Sequence, residues 1–169
     1  MKLSGNDVRY YTLDANGDID RLVLQNVTGD TYDYVYVSGI EDNSSEMNIS
    51  VNYTYIQNGQ VQNLNGSAKY AIKTGGALLV HEKGKIKSIR QLNSVALDSV
   101  SSLSAMGGGK EYKIAENAQV LLKDGLSSSG YYLTDLSQIN GEDYKLTGWY
   151  DTGKYSAGNR IRIIVAVPK

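Results

Sequence analysis

The chain has 169 residues, with 17 basic and 18 acidic side chains for a net charge of −1, no cysteine and a single histidine. This composition excludes disulfides, thiolate nucleophiles, cysteine-ligated zinc and any multi-histidine metal site, and it offers no electrostatic basis for binding nucleic acid or an acidic membrane surface. Fourteen tyrosines, one tryptophan, no phenylalanine, 18 glycines and one proline point to short strands with half-buried aromatic faces, joined by glycine and asparagine turns.

No apolar run approaches the roughly 20 residues that cross a bilayer, and the N-terminus lacks a signal-peptide core, so Met1 reads as the start of an excised fragment. Residues 1–7 are polar and expected to fray. A first strand over residues 8–13 and a second over 19–27 meet through Asp14, Ala15, Asn16 and Gly17, because Asn-Gly accepts the positive φ angles of a tight hairpin turn. Asp14, Asn16, Asp18 and Asp20 also follow the opening of a calcium loop, D-x-N-x-D. With Asp14 as the first position, however, Ile19 and Gln25 stand where such a loop needs its glycine and its bidentate glutamate.

After a turn at residues 28–30 comes TYDYVYV, which places Tyr32, Tyr34 and Tyr36 on one face of a strand and Val35 and Val37 on the other. Two readings compete. The tyrosines form an exposed aromatic platform for a glycan, or the valines point inward and the tyrosines pack on a neighbouring loop or sheet. EDNSSEM at residues 41–47 is a polar loop, and ISVNYTYI followed by QNGQVQNL makes another hairpin turned at Asn58 and Gly59.

The middle of the chain suggests a duplication. Residues 70–93 align with residues 112–140 through Tyr70 and Tyr112, Ile72 and Ile114, LLV and VLL, Gly84 and Gly125, and SIRQLN and DLSQIN. Each copy is expected to end in a short helical turn, near residues 88–92 and 134–139, with Thr134 as an N-cap. Between them, residues 93–110 form a strand pair turned by Gly107 to Gly109; the GGGK found there lacks phosphate-loop spacing and opens a strand. His81, beside Glu82 and Lys83 before a glycine turn, reads as a surface residue.

The closing hairpin over residues 144–166 holds Trp149. Its second strand aligns Ile161, Ile163, Val165 and Val167 on an inward face, with Arg160 and Arg162 outward. The first hairpin is a looser copy of it, so both are expected to bury an apolar face in the body. Five glycosylation sequons, at Asn26, Asn43, Asn48, Asn52 and Asn65, follow from an Asn/Ser/Thr-rich composition, and no motif singles out a carboxylate pair for glycoside hydrolysis.

The expected fold is all-β: a barrel-like or sandwich module of residues 1–169 with internal pseudo-duplication and at most short helical turns. The runs YTLDANGDIDRLVLQNVTGD, LSQIN, YKLTGWYD and GNRIRIIVA resemble the β-rich region that follows S-layer homology domains in cell-surface proteins of Clostridia-type bacteria. The resemblance implies a secreted, wall-associated protein whose polysaccharide anchoring resides in separate modules, so no residue of this stretch inherits an anchoring role. The expected function is that of a non-catalytic structural or interaction module at the bacterial cell surface or wall, without cofactor, whose partners are neighbouring modules or a cell-wall polymer. The alternative is a carbohydrate-binding module that uses Tyr32, Tyr34, Tyr36 and Trp149.

Overall fold

Three runs, GGALLV, QVLL and RIIVA, are apolar without alternation, which marks strands covered on both faces. The computed structural model describes residues 8–24, 32–126, 130–152 and 159–169, and it places these runs at the centre of two packed sheets. A five-stranded antiparallel sheet has the order β5 (Gln60–Gly66), β4 (Val51–Gln57), β3 (Asp33–Asp42), β6 (Gly75–Glu82), β7 (Lys85–Gln91). A seven-stranded sheet runs β8 (Asn93–Leu97), β13 (Tyr144–Tyr150), β14 (Arg160–Pro168), β11 (Lys110–Lys123), β10 (Ser104–Gly107), β9 (Ser99–Val100), with β12 (Tyr131–Thr134) also paired to β11. Among the described strands, only β11 and β14 run parallel. The seven-stranded sheet curls into a half-barrel. At its mouth the Asp98 amide donates to the Met106 carbonyl at 2.8 Å, and a Cβ at Gly107 would overlap the Ala96 carbonyl. The all-β expectation holds.

Three apolar clusters follow from this layering. One fills the half-barrel around Leu97, Val120, Leu122, Leu146, Ile161 and Ile164. A second lies between the sheets, where Tyr34, Ile56 and Leu78 meet Leu121, Ile163 and Val165. The third covers the outer face of the five-stranded sheet, where the segment after β5 folds back so that Tyr70 and Ile72 pack on Val35, Val37 and Tyr53. The Tyr53 hydroxyl accepts a hydrogen bond from the Tyr70 amide at 2.8 Å, and Lys69 pairs with Asp42. The hydrogen bond from Lys69, with others from Ser44, lowers the Asp42 carboxyl pKa to about 2.

Turn chemistry is where the sequence translated most directly. Asn58 and Gly59 take φ of 50° and 78°, and Gly108 and Gly109 take 56° and 72°, the paired positive values of a tight hairpin. The Asp14 carboxylate accepts the amides of Asn16 and Asp18 at 2.8 and 3.0 Å, so the turn itself employs the side chain that a calcium loop would have required.

In several places the fold departs from the sequence pattern. In β14, Arg162 is 1% exposed, and Ile161 belongs to the half-barrel cluster while Ile163 and Val165 face the other sheet. The cause is a bulge: Trp149 pairs with Ile163 and Tyr150 with Ile161, so Arg162 is the extra residue, and period-two alternation breaks there. Among the described residues, the first hairpin, β1 (Val8–Leu13) with β2 (Ile19–Leu24), pairs with neither large sheet, and Tyr10, Tyr11, Leu13 and Ile19 are exposed. It is not integral to the core. The expected remainder of the second strand at residues 25–27, the start expected to fray at 1–7 and the turn expected at 28–30 lie outside the described residues.

The aligned stretches share one hairpin and diverge around it. β6 with β7 matches β11 with β12, but Tyr70 lies in the covering segment whereas Tyr112 lies inside β11. The SIRQ segment is part of β7, and the equivalent LSQ forms a 3-10 turn (Leu136–Gln138) preceded by Asp135, with Thr134 as the last residue of β12. Tyr70 and Tyr112 share a position in the alignment and not in the fold, so the likeness of the two stretches is limited to that hairpin. His81 is half-buried on β6, with Nδ1 3.3 Å from Asp33 Oδ2, and not on the open surface.

Candidate functional site

The polar groups with the least solvent converge at one end of the seam between the sheets. Asp151 follows β13 directly, Arg162 sits in the β14 bulge, and Tyr34 projects from β3. The Tyr34 hydroxyl donates to Asp151 Oδ2 at 2.7 Å, and Arg162 Nε donates to the same oxygen at 3.1 Å. The guanidinium also lies 4.7 Å from the centroid of the Tyr34 ring, where the ring face attracts a cation. All three side chains are buried, at 5%, 1% and 6% exposure for Asp151, Arg162 and Tyr34. A charge taken this far from water is tolerated only with a charged, hydrogen-bonded partner, and this cluster supplies one.

Trp149 lies beside the cluster, over the β6 glycines. A Cβ at Gly76 would stand 2.6 Å from Trp149 Cβ, and one at Gly75 would overlap the indole ring. Tyr36 meets Trp149 edge-on at 6.4 Å and Tyr131 at 5.0 Å, with the two phenol oxygens 3.4 Å apart. Burial, then the Tyr131 hydrogen bond, pushes the Tyr36 phenol far above its ordinary range. A second polar bridge spans the seam at Gln119: its side-chain nitrogen donates to the Tyr34 carbonyl at 2.6 Å, and its side-chain oxygen accepts the Asn58 amide at 2.8 Å.

Two grooves open at these bridges. One, of about 240 Å³, lies by Arg90, Asn93, Tyr150, Asp151 and Thr152; the other, of about 200 Å³, lies by Tyr32, Asp33, Asn117 and Gln119. Both fall below the roughly 300 Å³ at which pockets for drug-sized ligands begin. Among the described residues, no three His, Cys, Asp or Glu side chains gather as a metal site would require.

The structure brings Tyr32, Tyr34, Tyr36 and Trp149 together, but it turns them inward. Tyr32 and Tyr34 are 7% and 6% exposed, and the Tyr36 and Trp149 rings cross at 70°, so these residues do not form the exposed coplanar platform of the carbohydrate reading. Asp151, Arg162 and Gln119 had no motif to mark them. The available signal was an arginine enclosed by isoleucines within a strand apolar on both sides, which is a place for a paired charge.

No family model, curated protein or solved structure matches the chain.

Proposed function

We propose that this chain is a non-catalytic structural or interaction module of a bacterial cell-surface protein associated with the S-layer or cell wall. The carrying observation is where the chemistry-bearing side chains are placed. Tyr34 bonds to Asp151 and Gln119 bonds to Tyr34 across the seam, Tyr36 meets Trp149 edge-on across it, and Arg162 holds Asp151 from within the seven-stranded sheet, so their contribution is cohesion between sheets. A module that works by shape and attachment needs this cohesion, and an enzyme needs such groups aimed into a cleft. The resemblance of the turn-and-strand runs to regions following S-layer homology domains supports the extracellular location. The partners proposed are neighbouring modules of the same surface protein or a wall polymer. Among the described residues no helix is long and apolar enough to cross a membrane.

An antibody raised against the purified module tests the placement. It is expected to label intact cells of the source organism, and labelling that appears only after permeabilisation would overturn it. Co-sedimentation with insoluble wall polysaccharide separates the two partner classes, because a module that joins protein neighbours stays in the supernatant.

A further inference from the structure

The two large sheets protect their edges unequally. An open edge strand presents unpaired backbone donors and acceptors, and proteins guard such edges with charge, bulges, brevity or cover. β7 carries Lys85, Lys87 and Arg90 and faces a register shift at Val80 and His81. β9 has two residues and β12 four. β8 is met by β10 where the half-barrel closes, at Gly107 against Ala96. β5 has none of these devices. It is seven residues long, QVQNLNG, without charge or proline, and it pairs with β4 from Gln60 to Gly66 with no register shift. Five of its seven residues are exposed, and no strand lies on its outer side among the described residues.

We infer that β5 is a self-association edge, on which the β5 strand of a second copy of this chain pairs antiparallel about a two-fold axis at Asn63. The strand's own sequence selects this occupant. With no charged side chain in it, two copies meet without the like-charge repulsion that Lys85, Lys87 and Arg90 would impose on β7 edges. Full overlap sets Asn63 opposite Asn63, Gln62 opposite Leu64 and Val61 opposite Asn65, which covers Val61, 42% exposed in the single chain. Each interface is isologous, and the two five-stranded sheets become one continuous sheet. One strand pair alone buries less than the roughly 1,200 Å² of a stable complex, so the dimer forms at high protein concentration or between copies already held close together. The inference depends only on the edge and holds wherever the module resides.

The absence of cysteine makes a cysteine scan clean. Under mild oxidation, Asn63→Cys is expected to cross-link with itself, because residues at the dyad face each other at roughly 5 Å between Cβ atoms. Val61→Cys and Asn65→Cys are expected to cross-link poorly alone and well when mixed, and Lys87→Cys on the opposite edge not at all. In sedimentation the native chain is expected to double in mass as concentration rises, and Gln62→Lys, with an unchanged melt, to remain monomeric. A chain that stays monomeric at about 1 mM, a range where even weak complexes form, would overturn the inference. So would cross-linking strongest at position 87, or an unrelated protein's strand on β5 with no self-pairing.

Discussion

Arg162→Ala is expected to be among the most damaging single substitutions in this chain, lowering stability by roughly 3–5 kcal/mol, the usual loss when one partner of a buried ion pair is removed. At this chain length that corresponds to a fall of about 6–20 °C in the melting temperature. The loss has a definite origin. Without the guanidinium, the Asp151 carboxylate remains 5% exposed, bonded only by the Tyr34 hydroxyl among the described residues, and the Tyr34 ring loses the cation above it. Arg160→Ala, two residues earlier and half-buried at the start of β14, should stay within about 0.5 kcal/mol of the parent. The double variant Arg162→Met/Asp151→Asn should recover much of the loss, because it removes both charges while keeping the volume. Thermal melts of the four proteins decide the matter: similar effects for Arg160→Ala and Arg162→Ala would place Arg162 outside the core.

The second large effect is expected at Gly76, where added bulk separates the sheets. An alanine Cβ there would sit 2.6 Å from both Cβ and Cγ of Trp149, atoms that can move only by shifting β13. Such overpacking costs roughly 1–3 kcal/mol and sometimes more. Because Trp149 is the only tryptophan, its fluorescence reports on the seam directly, and Gly76→Ala should shift the emission to longer wavelength as water gains access. Gly84→Ala is the contrasting case. No atom lies within 4 Å of its Cβ position, so it bears only the strain of a side chain at φ +74°, on the order of 1 kcal/mol, with the fluorescence unchanged. If the emission moves equally in both variants, the tight contact of Trp149 with β6 is absent.

How legible the fold was depended on the range of the forces involved. The turns at Gly17, Asn58–Gly59 and Gly108–Gly109 were readable because positive φ is a requirement on one or two residues and is met by their own chemistry. The strand runs were readable for the same local reason. The orientation of Arg162 was not, because strict alternation holds only while the ladder is regular. The bulge that reverses it is set jointly by β13 and β11, whose pairings with β14 both skip that residue. Tyr70 and Tyr112 carry the same flanking pattern but serve opposite purposes, one covering a sheet and one within a strand, and only the long-range topology distinguishes them. Tyr32, Tyr34, Tyr36 and Trp149 lie in or against one apolar cluster. What the sequence concealed was their direction, since β3 is covered on both faces, Val35 and Val37 packing under the segment of Tyr70 and Ile72 and Tyr34 and Tyr36 packing in the seam.

The seam, with its Tyr34, Asp151, Arg162 and Trp149 contacts, is expected to make one cooperative unit of the two sheets. Differential scanning calorimetry of the intact chain tests it most directly. A single transition is expected, in which the calorimetric and van't Hoff enthalpies agree, as for one two-state unit. Two resolved transitions, one for the five-stranded sheet and one for the half-barrel, would contradict it.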